Sequence, residues 1–285
     1  MLDLIKQAHS NESLKIIQLD YRYCVCKTFR KDLVRAQRNV DKQRNFQSLY
    51  TETFRVTSAE VLNFQVYPDS AELVMPYIQG MTGHMFPVYA TRKSAQTLSS
   101  SLSTMLYSEL SMSHEEVVST SHFRDKLVSV SAATSDSDLK RLVDDCQDVL
   151  DTFPAEMSYP MGPCHGDLTL SNLILNSAMD ITLIDFLHTY LESPLQDVAK
   201  LKQDFVYGWS FRKDSDALRL KAEILCRHHF PEAIIQIERM YPAQIFLLTL
   251  LALARIAPYV KDSISKRWLI HSLNHCLRDF SQRTT

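Results

Sequence analysis

Residues 164–188, CHGDLTLSNLILNSAMDITLIDFLH, constrain the fold of this chain more than any other stretch. Two apolar runs, residues 173–175 and 181–184, flank the turn-forming sequence Asn176-Ser177-Ala178-Met179-Asp180. That pattern predicts a β-hairpin. The hairpin brings two polar loops to one end. The first carries Asp167 and Asn172, the second Asp185.

Three oxygen-bearing side chains in this arrangement suit one kind of chemistry. Phosphoryl transfer from a nucleotide needs Mg²⁺ fixed against the phosphates and a carboxylate beside the attacking hydroxyl. Asp167 is the candidate to orient the hydroxyl and take its proton. Asn172 and Asp185 offer the hard oxygen ligands that Mg²⁺ prefers. His165 reads as a residue that shapes the loop.

His165-Gly166-Asp167-Leu168-Thr169-Leu170-Ser171-Asn172, followed by Ile184-Asp185-Phe186, resembles the catalytic and metal-binding loops of the aminoglycoside phosphotransferase and choline kinase superfamily. The resemblance implies an α+β, protein-kinase-like bilobal fold, with a small N-terminal β-sheet lobe and a larger, mainly helical C-terminal lobe. It also implies use of ATP and Mg²⁺ to phosphorylate a hydroxyl of a small molecule. Lobes at residues 1–80 and 81–285 follow, with a hinge at residues 75–80.

A chain of 285 residues that is 45% hydrophobic can bury a core of that size. Its net charge of −2 provides no basic field to attract nucleic acid. Six cysteines without a CxxC pair, and no leader-like start, are expected of reduced thiols in a cytoplasm. Cys24 and Cys26 alternate on a predicted strand and read as packing residues.

In the first lobe, residues 13–19 and 21–29 read as strands. The resemblance implies that Lys27, at the end of the second, holds the α and β phosphates of ATP. The chain has only 5 glycines, none before these strands, so a glycine-rich phosphate loop is missing. The turn at residues 9–13 is the candidate replacement, with Asn11 and Ser13 as phosphate contacts. Residues 30–50 have the apolar spacing of an amphipathic helix. Where the superfamily places a glutamate to pair with the lysine, this helix has Gln43. Either Gln43 hydrogen-bonds Lys27 without charge, or Glu52 takes the role. Residues 64–67 and 72–78 read as two further strands. The second runs into the hinge, where Met75, Tyr77 and Ile78 are implied to line the adenine site, Tyr77 or Ile78 donating a backbone N–H because Pro76 has none.

Helices are predicted over residues 94–112, 114–127, 137–153, 214–229, 231–259 and 263–281. The run at residues 245–254 is short against the roughly 20 residues of a bilayer span and reads as a core helix, so no transmembrane segment is expected. Ser193 and Pro194 predict the start of another helix. The resemblance implies that Asp197 on it braces the catalytic loop, whereas Asp204 reads as solvated. His84, His114 and His122 read as surface or packing residues.

From residue 201 to 285 the chain has 13 Lys and Arg against 8 Asp and Glu, which disfavours a polycationic acceptor. A sugar or polyol related to cell-surface polysaccharide is the first expectation. Choline or ethanolamine is the alternative, with Trp209, Tyr207, Tyr190 and Trp268 as a possible aromatic box. The missing glycines and Gln43 also permit a nucleotide-binding pseudokinase with a regulatory role. Oligomeric state is not readable from the sequence.

Overall fold

The computed structural model describes residues 13–284. In chain order the elements are β1 (Ser13–Leu19), β2 (Arg22–Phe29), α1 (Leu33–Arg44), β3 (Leu49–Tyr50), β4 (Arg55–Ser58), β5 (Asn63–Val66), β6 (Ala71–Pro76) and β7 (Met81–Thr82). There follow α2 (Phe86–Tyr89), α3 (Arg92–Ser111), β8 (His114–Ser119), α4 (Ser121–Ala133), α5 (Ser137–Leu150), β9 (Glu156–Met161), β10 (Leu173–Leu175) and β11 (Ile181–Leu183). The helices α6 (Pro194–Phe205), α7 (Asp216–His228), α8 (Glu232–Met240), α9 (Pro242–Ala254) and α10 (Ser263–Thr284) complete the chain.

An N-terminal sheet in the order β1-β2-β6-β5 is antiparallel throughout. Phe29, Ala71, Leu73 and Met75 on its inner face pack with Ala36 and Val40 of α1. Helix α1 is shorter than the predicted 30–50. It starts at the cap residue Asp32, whose side chain accepts from Arg35 N, and ends at Asn45.

The second sheet, β3-β4-β11-β10-β7, was not foreseen beyond its central hairpin. Strands β10 and β11 pair as predicted, Leu173 opposite Leu183. Strand β4, which precedes the hinge, lies parallel to β11 with Val56 beside Ile181, and Ala59 N donates to Leu183 O at 2.9 Å. On the other edge β7 pairs with β10. Gly80 permits that approach: a Cβ there would sit 2.6 Å from Leu175 O, a backbone atom that cannot move aside cheaply.

The C-terminal part is mainly helical and holds the larger core. Helix α6 runs through it, with Leu195, Val198, Ala199 and Leu201 fully buried. Each buried Leu or Val contributes roughly 1.5–3 kcal/mol. Among the described residues, Pro242–Tyr259 is long and apolar enough by length and composition to cross a membrane. Within it, α9 has 13 residues and packs against α6 and α10.

Two helix expectations are corrected. Residues 114–127 divide into strand β8 and helix α4, because Val117-Val118 sits in a ladder with β9, Val118 opposite Met157. Residues 231–259 break at Tyr241 (φ −129, ψ 55), where Pro242 starts α9 in the helix position that suits proline. All six cysteines are buried and free.

Candidate active site

Hairpin β10–β11 carries the two polar loops to one place. In the first loop Gly166 has φ 86, and a Cβ there would lie 2.0 Å from Leu187 O, so only glycine fits between the loops. His165 is fully buried, donates Nε2–H to Ile184 O at 2.8 Å and accepts Asp167 N–H on Nδ1 at 3.2 Å. These two bonds fix its tautomer. Burial pushes its pKa down to about 4, so it stays neutral. Its ring also packs on Phe186 at 4.3 Å. Its bonds tie the first loop to the backbone of the second at Ile184.

Asp167 is about a third exposed. Asn172 Nδ2 donates to its backbone O at 2.7 Å and its Oδ2 at 3.1 Å, and Lys200 Nζ lies 3.0 Å from Oδ1. Burial pushes the Asp167 carboxyl up, but the charge and hydrogen bond of Lys200, with the Asn172 bond, outweigh this and hold it below the usual carboxylate range. With Nδ2 turned to Asp167, Asn172 keeps its Oδ1 for a cation.

Asp185 follows β11 at φ 61, a left-handed backbone that aspartate tolerates better than most residues. Its Oδ1 receives Lys27 Nζ at 3.0 Å. Lys27 is buried on β2 opposite Leu73, with its ammonium 5.2 Å from the Phe29 ring centroid. The structure thus unites Lys27 with Asp185, and Asp167 with Asn172. Among the described residues no group of three or more His, Cys, Asp or Glu could hold a metal. One carboxylate and one amide oxygen suit Mg²⁺, which takes its remaining ligands from phosphates and water.

Gln43 does not have the expected role. Its amide nitrogen donates to Ala59 O at 2.7 Å and to Met75 Sδ at 3.2 Å, tying α1 to β6. Glu52 is exposed between β3 and β4. Lys27 is held instead by Asp185 directly. The neighbouring Lys42, which sequence reasoning passed over, links α1 to the second loop through Glu192 Oε2 at 2.5 Å, Leu187 O at 2.9 Å and Cys164 Sγ at 3.2 Å. Asn39 Oδ1 accepts His188 N–H at 2.6 Å in the same contact.

Past the end of β6, Tyr77 N–H is donated to Tyr23 O at 2.9 Å, so of the two expected donors Tyr77 is already engaged. Met75 is buried, with its sulfur at Gln43. Ser13 opens β1 opposite Thr28, in a strand and not in a turn, and Asn11 lies outside the described residues.

Helix α6 braces the catalytic loop more than the sequence suggested. Asp197, fully buried, accepts His165 N–H on Oδ2 and Gly166 N–H on Oδ1. Asp204, read from sequence as solvated, is 1% exposed. It accepts Leu170 N–H at 2.6 Å and Ser210 N–H at 2.8 Å. Its position one helical turn beyond Lys200, on the same face as Asp197, was the available signal.

Behind Asp197 lies Glu109 of α3, buried, with no hydrogen-bond partner for either carboxyl oxygen. Burial pushes Glu109 well above the usual range, and the charge of Asp197 adds to this. Burial likewise raises Asp197 to about 6, against the pull of Lys42 and the two loop N–H groups. Both folded-state values lie above the unfolded ones, so the folded state holds extra protons and loses stability as pH rises through them. Glu109→Gln removes one such proton site. Its melting temperature relative to the natural protein should therefore climb from pH 5 to pH 8, by about 2–4 °C for each kcal/mol. A pH-independent difference in scanning calorimetry would show that Glu109 is not held protonated.

A cavity of about 1100 Å³ opens beyond Asp204, between α6, α7 and α10. Tyr207, Phe211, Arg212, Trp268 and His271 are among its walls. Trp209 packs on Trp268 with ring centroids 5.0 Å apart, and the Arg212 guanidinium lies 3.4 Å from the Trp209 ring centroid. Tyr190 stands edge-on to Phe123 instead. Ser210, next in the chain after Trp209, has its Oγ 3.0 Å from Ser171 Oγ.

Residues 9–224 match the phosphotransferase enzyme family, known as APH. The chain belongs to this family. As a member of the APH family it is a phosphotransferase that acts on a hydroxyl group of a small molecule. No curated protein matches it by sequence. Solved structures share its fold at low identity. Aminoglycoside phosphotransferase APH(4)-Ia is 14% identical, with TM-score 0.58 over 94% of this chain and 90% of that one. A point mutant of aminoglycoside 2'-phosphotransferase-IIIa, in complex with GDP, is 13% identical, with TM-score 0.53 over 100% and 96%. Choline kinase LicA from Streptococcus pneumoniae is 11% identical, with TM-score 0.50 over 93% and 89%. The kinase-like, α+β architecture expected from the sequence is therefore the fold of this APH family member.

Proposed function

We propose that this chain transfers the γ-phosphoryl group of ATP to a hydroxyl of a sugar or polyol. The observation that carries the reading is the pairing of two couples at the ends of one hairpin, Lys27 with Asp185 and Asp167 with Asn172. Complexes of APH(4)-Ia with hygromycin B and with ADP or AMP-PNP have the same fold and support an adenine nucleotide here.

In this reading Lys27 releases part of its hold on Asp185 to the α and β phosphates. Asp185 and Asn172 Oδ1 hold Mg²⁺, which when bound neutralises phosphate charge. Asp167 accepts the hydrogen bond of the acceptor hydroxyl and aligns it. Fixed placement of these groups lowers the barrier, because little reorganisation remains at the moment of transfer. Ile78 N–H is the hinge donor for the base.

The acceptor class is argued from the cavity between α6, α7 and α10. Arg212 already occupies the face of Trp209 that a quaternary ammonium would need, which argues against choline. Aromatic rings among Arg, His and Asp side chains suit a polyhydroxyl ligand. The test is transfer of labelled γ-phosphate from MgATP to neutral sugars, amino sugars, choline and ethanolamine. Label on a sugar or polyol is the expected result. Label on choline alone would overturn the acceptor class, and a protein that binds no ATP would overturn the kinase reading.

A further inference from the structure

We infer that Lys200 is a catalytic residue that contacts the phosphoryl group in transit. Asp197, Lys200 and Asp204 fall on one face of α6, and each meets the catalytic loop in order: Asp197 at His165 and Gly166, Lys200 at Asp167, Asp204 at Leu170. Asp197 and Asp204 bind backbone and fix the loop. Lys200 alone of the three is aimed at a reacting side chain, with its Nζ 3.0 Å from Asp167 Oδ1 and its side chain 14% exposed.

The loop from His165 to Asn172 contains no Lys or Arg. Lys27 is engaged by Asp185, and Lys42 by Glu192 and Leu187 O. Among the described residues Lys200 is thus the one cation within hydrogen-bond reach of Asp167. A second contact, from Lys200 Nζ to Gln203 Oε1 at 3.3 Å, is on its own helix.

The inference rests on Asp167 being the group that receives the acceptor hydroxyl. During transfer the acceptor oxygen forms a bond to the γ-phosphorus while the bond from that phosphorus to the β–γ bridging oxygen breaks. The electron pair leaves with ADP, and the hydroxyl proton passes to the Asp167 carboxylate. Negative charge is spread over the three equatorial oxygens of the phosphoryl group. An acceptor oxygen bonded to Asp167 puts those oxygens within a few ångströms of Lys200 Nζ, on a flexible four-carbon stem. As the Asp167 carboxylate takes up the proton its attraction for Lys200 falls, and the ammonium turns to the phosphoryl oxygens.

Aluminium fluoride with MgADP imitates the transferring group and needs no acceptor, since water fills that place. Binding of MgADP with and without aluminium fluoride, by titration calorimetry on the intact chain, separates transition-state contact from ordinary nucleotide binding. K200M should bind MgADP within about twofold of the natural protein and lose at least about tenfold of the tightening by aluminium fluoride, with K200R retaining most of it. Full tightening in K200M overturns the inference, as does natural protein that binds MgADP but is not tightened at all. If K200M fails to bind MgADP, K200Q is read in the same way, and equal tightening there overturns it. Natural protein that binds no MgADP removes the kinase reading and this inference together.

Discussion

Asp167→Ala is expected to lower turnover by about 10²–10⁴-fold while the binding of MgATP stays close to that of the natural protein. In the proposed reading its carboxylate aligns the acceptor hydroxyl, and the loop between His165 and Asn172 contains no other carboxylate. The fold should survive. Asp167 is about a third exposed, and Asn172 keeps its 2.7 Å bond to the backbone carbonyl of residue 167 after the side chain is removed. Kinetics with the acceptor identified by labelling, together with calorimetric binding of MgATP, check both halves. Activity within tenfold of the natural protein would assign the acceptor contact elsewhere.

Asp204→Ala is expected to have the largest effect on stability. The side chain is 1% exposed and accepts two backbone N–H groups, from Leu170 and Ser210. Its removal leaves both donors without partners, at about 1–3 kcal/mol each. A total near 3 kcal/mol corresponds to a fall in melting temperature of about 6–12 °C. Asp204→Asn should recover little, because one amide face would present N–H to N–H. A variant that melts within about 2 °C of the natural protein would contradict the assignment of these bonds. Since Leu170 lies in the catalytic loop, reduced turnover in the variant should accompany the reduced stability.

The parts of this chain that were legible in its sequence are those in which local order and chemistry coincide. The hairpin at residues 173–183 has its turn, its alternating apolar residues and its polar ends in one continuous stretch, so fold and candidate site could be read together. Strand β4 could not be found in this way. It has four residues, and its partner β11 lies far along the chain, so only tertiary packing reveals the pairing. Gln43 was placed by analogy with a glutamate, whereas Lys27 pairs with Asp185 and Gln43 bonds Ala59 O and Met75 Sδ. For Lys200, Asp204 and Glu109 a signal was present. Each interrupts the apolar face of a helix, and an ionisable group there must be paired or neutral. Glu109 continues the face formed by Leu98, Leu102 and Met105, all buried.

The pairing of β4 with β11 also bears on how such enzymes can exchange parts. A chimaera joined at the hinge, with residues up to 80 from one relative and the remainder from another, would combine a β4 and a β11 that were never selected together. Val56, packed beside Ile181, and Ala59 N, bonded to Leu183 O, would meet unfamiliar partners in the strand that positions Asp185. A crossover past residue 188 keeps β4 with β11, and β2 with β6, within one parent.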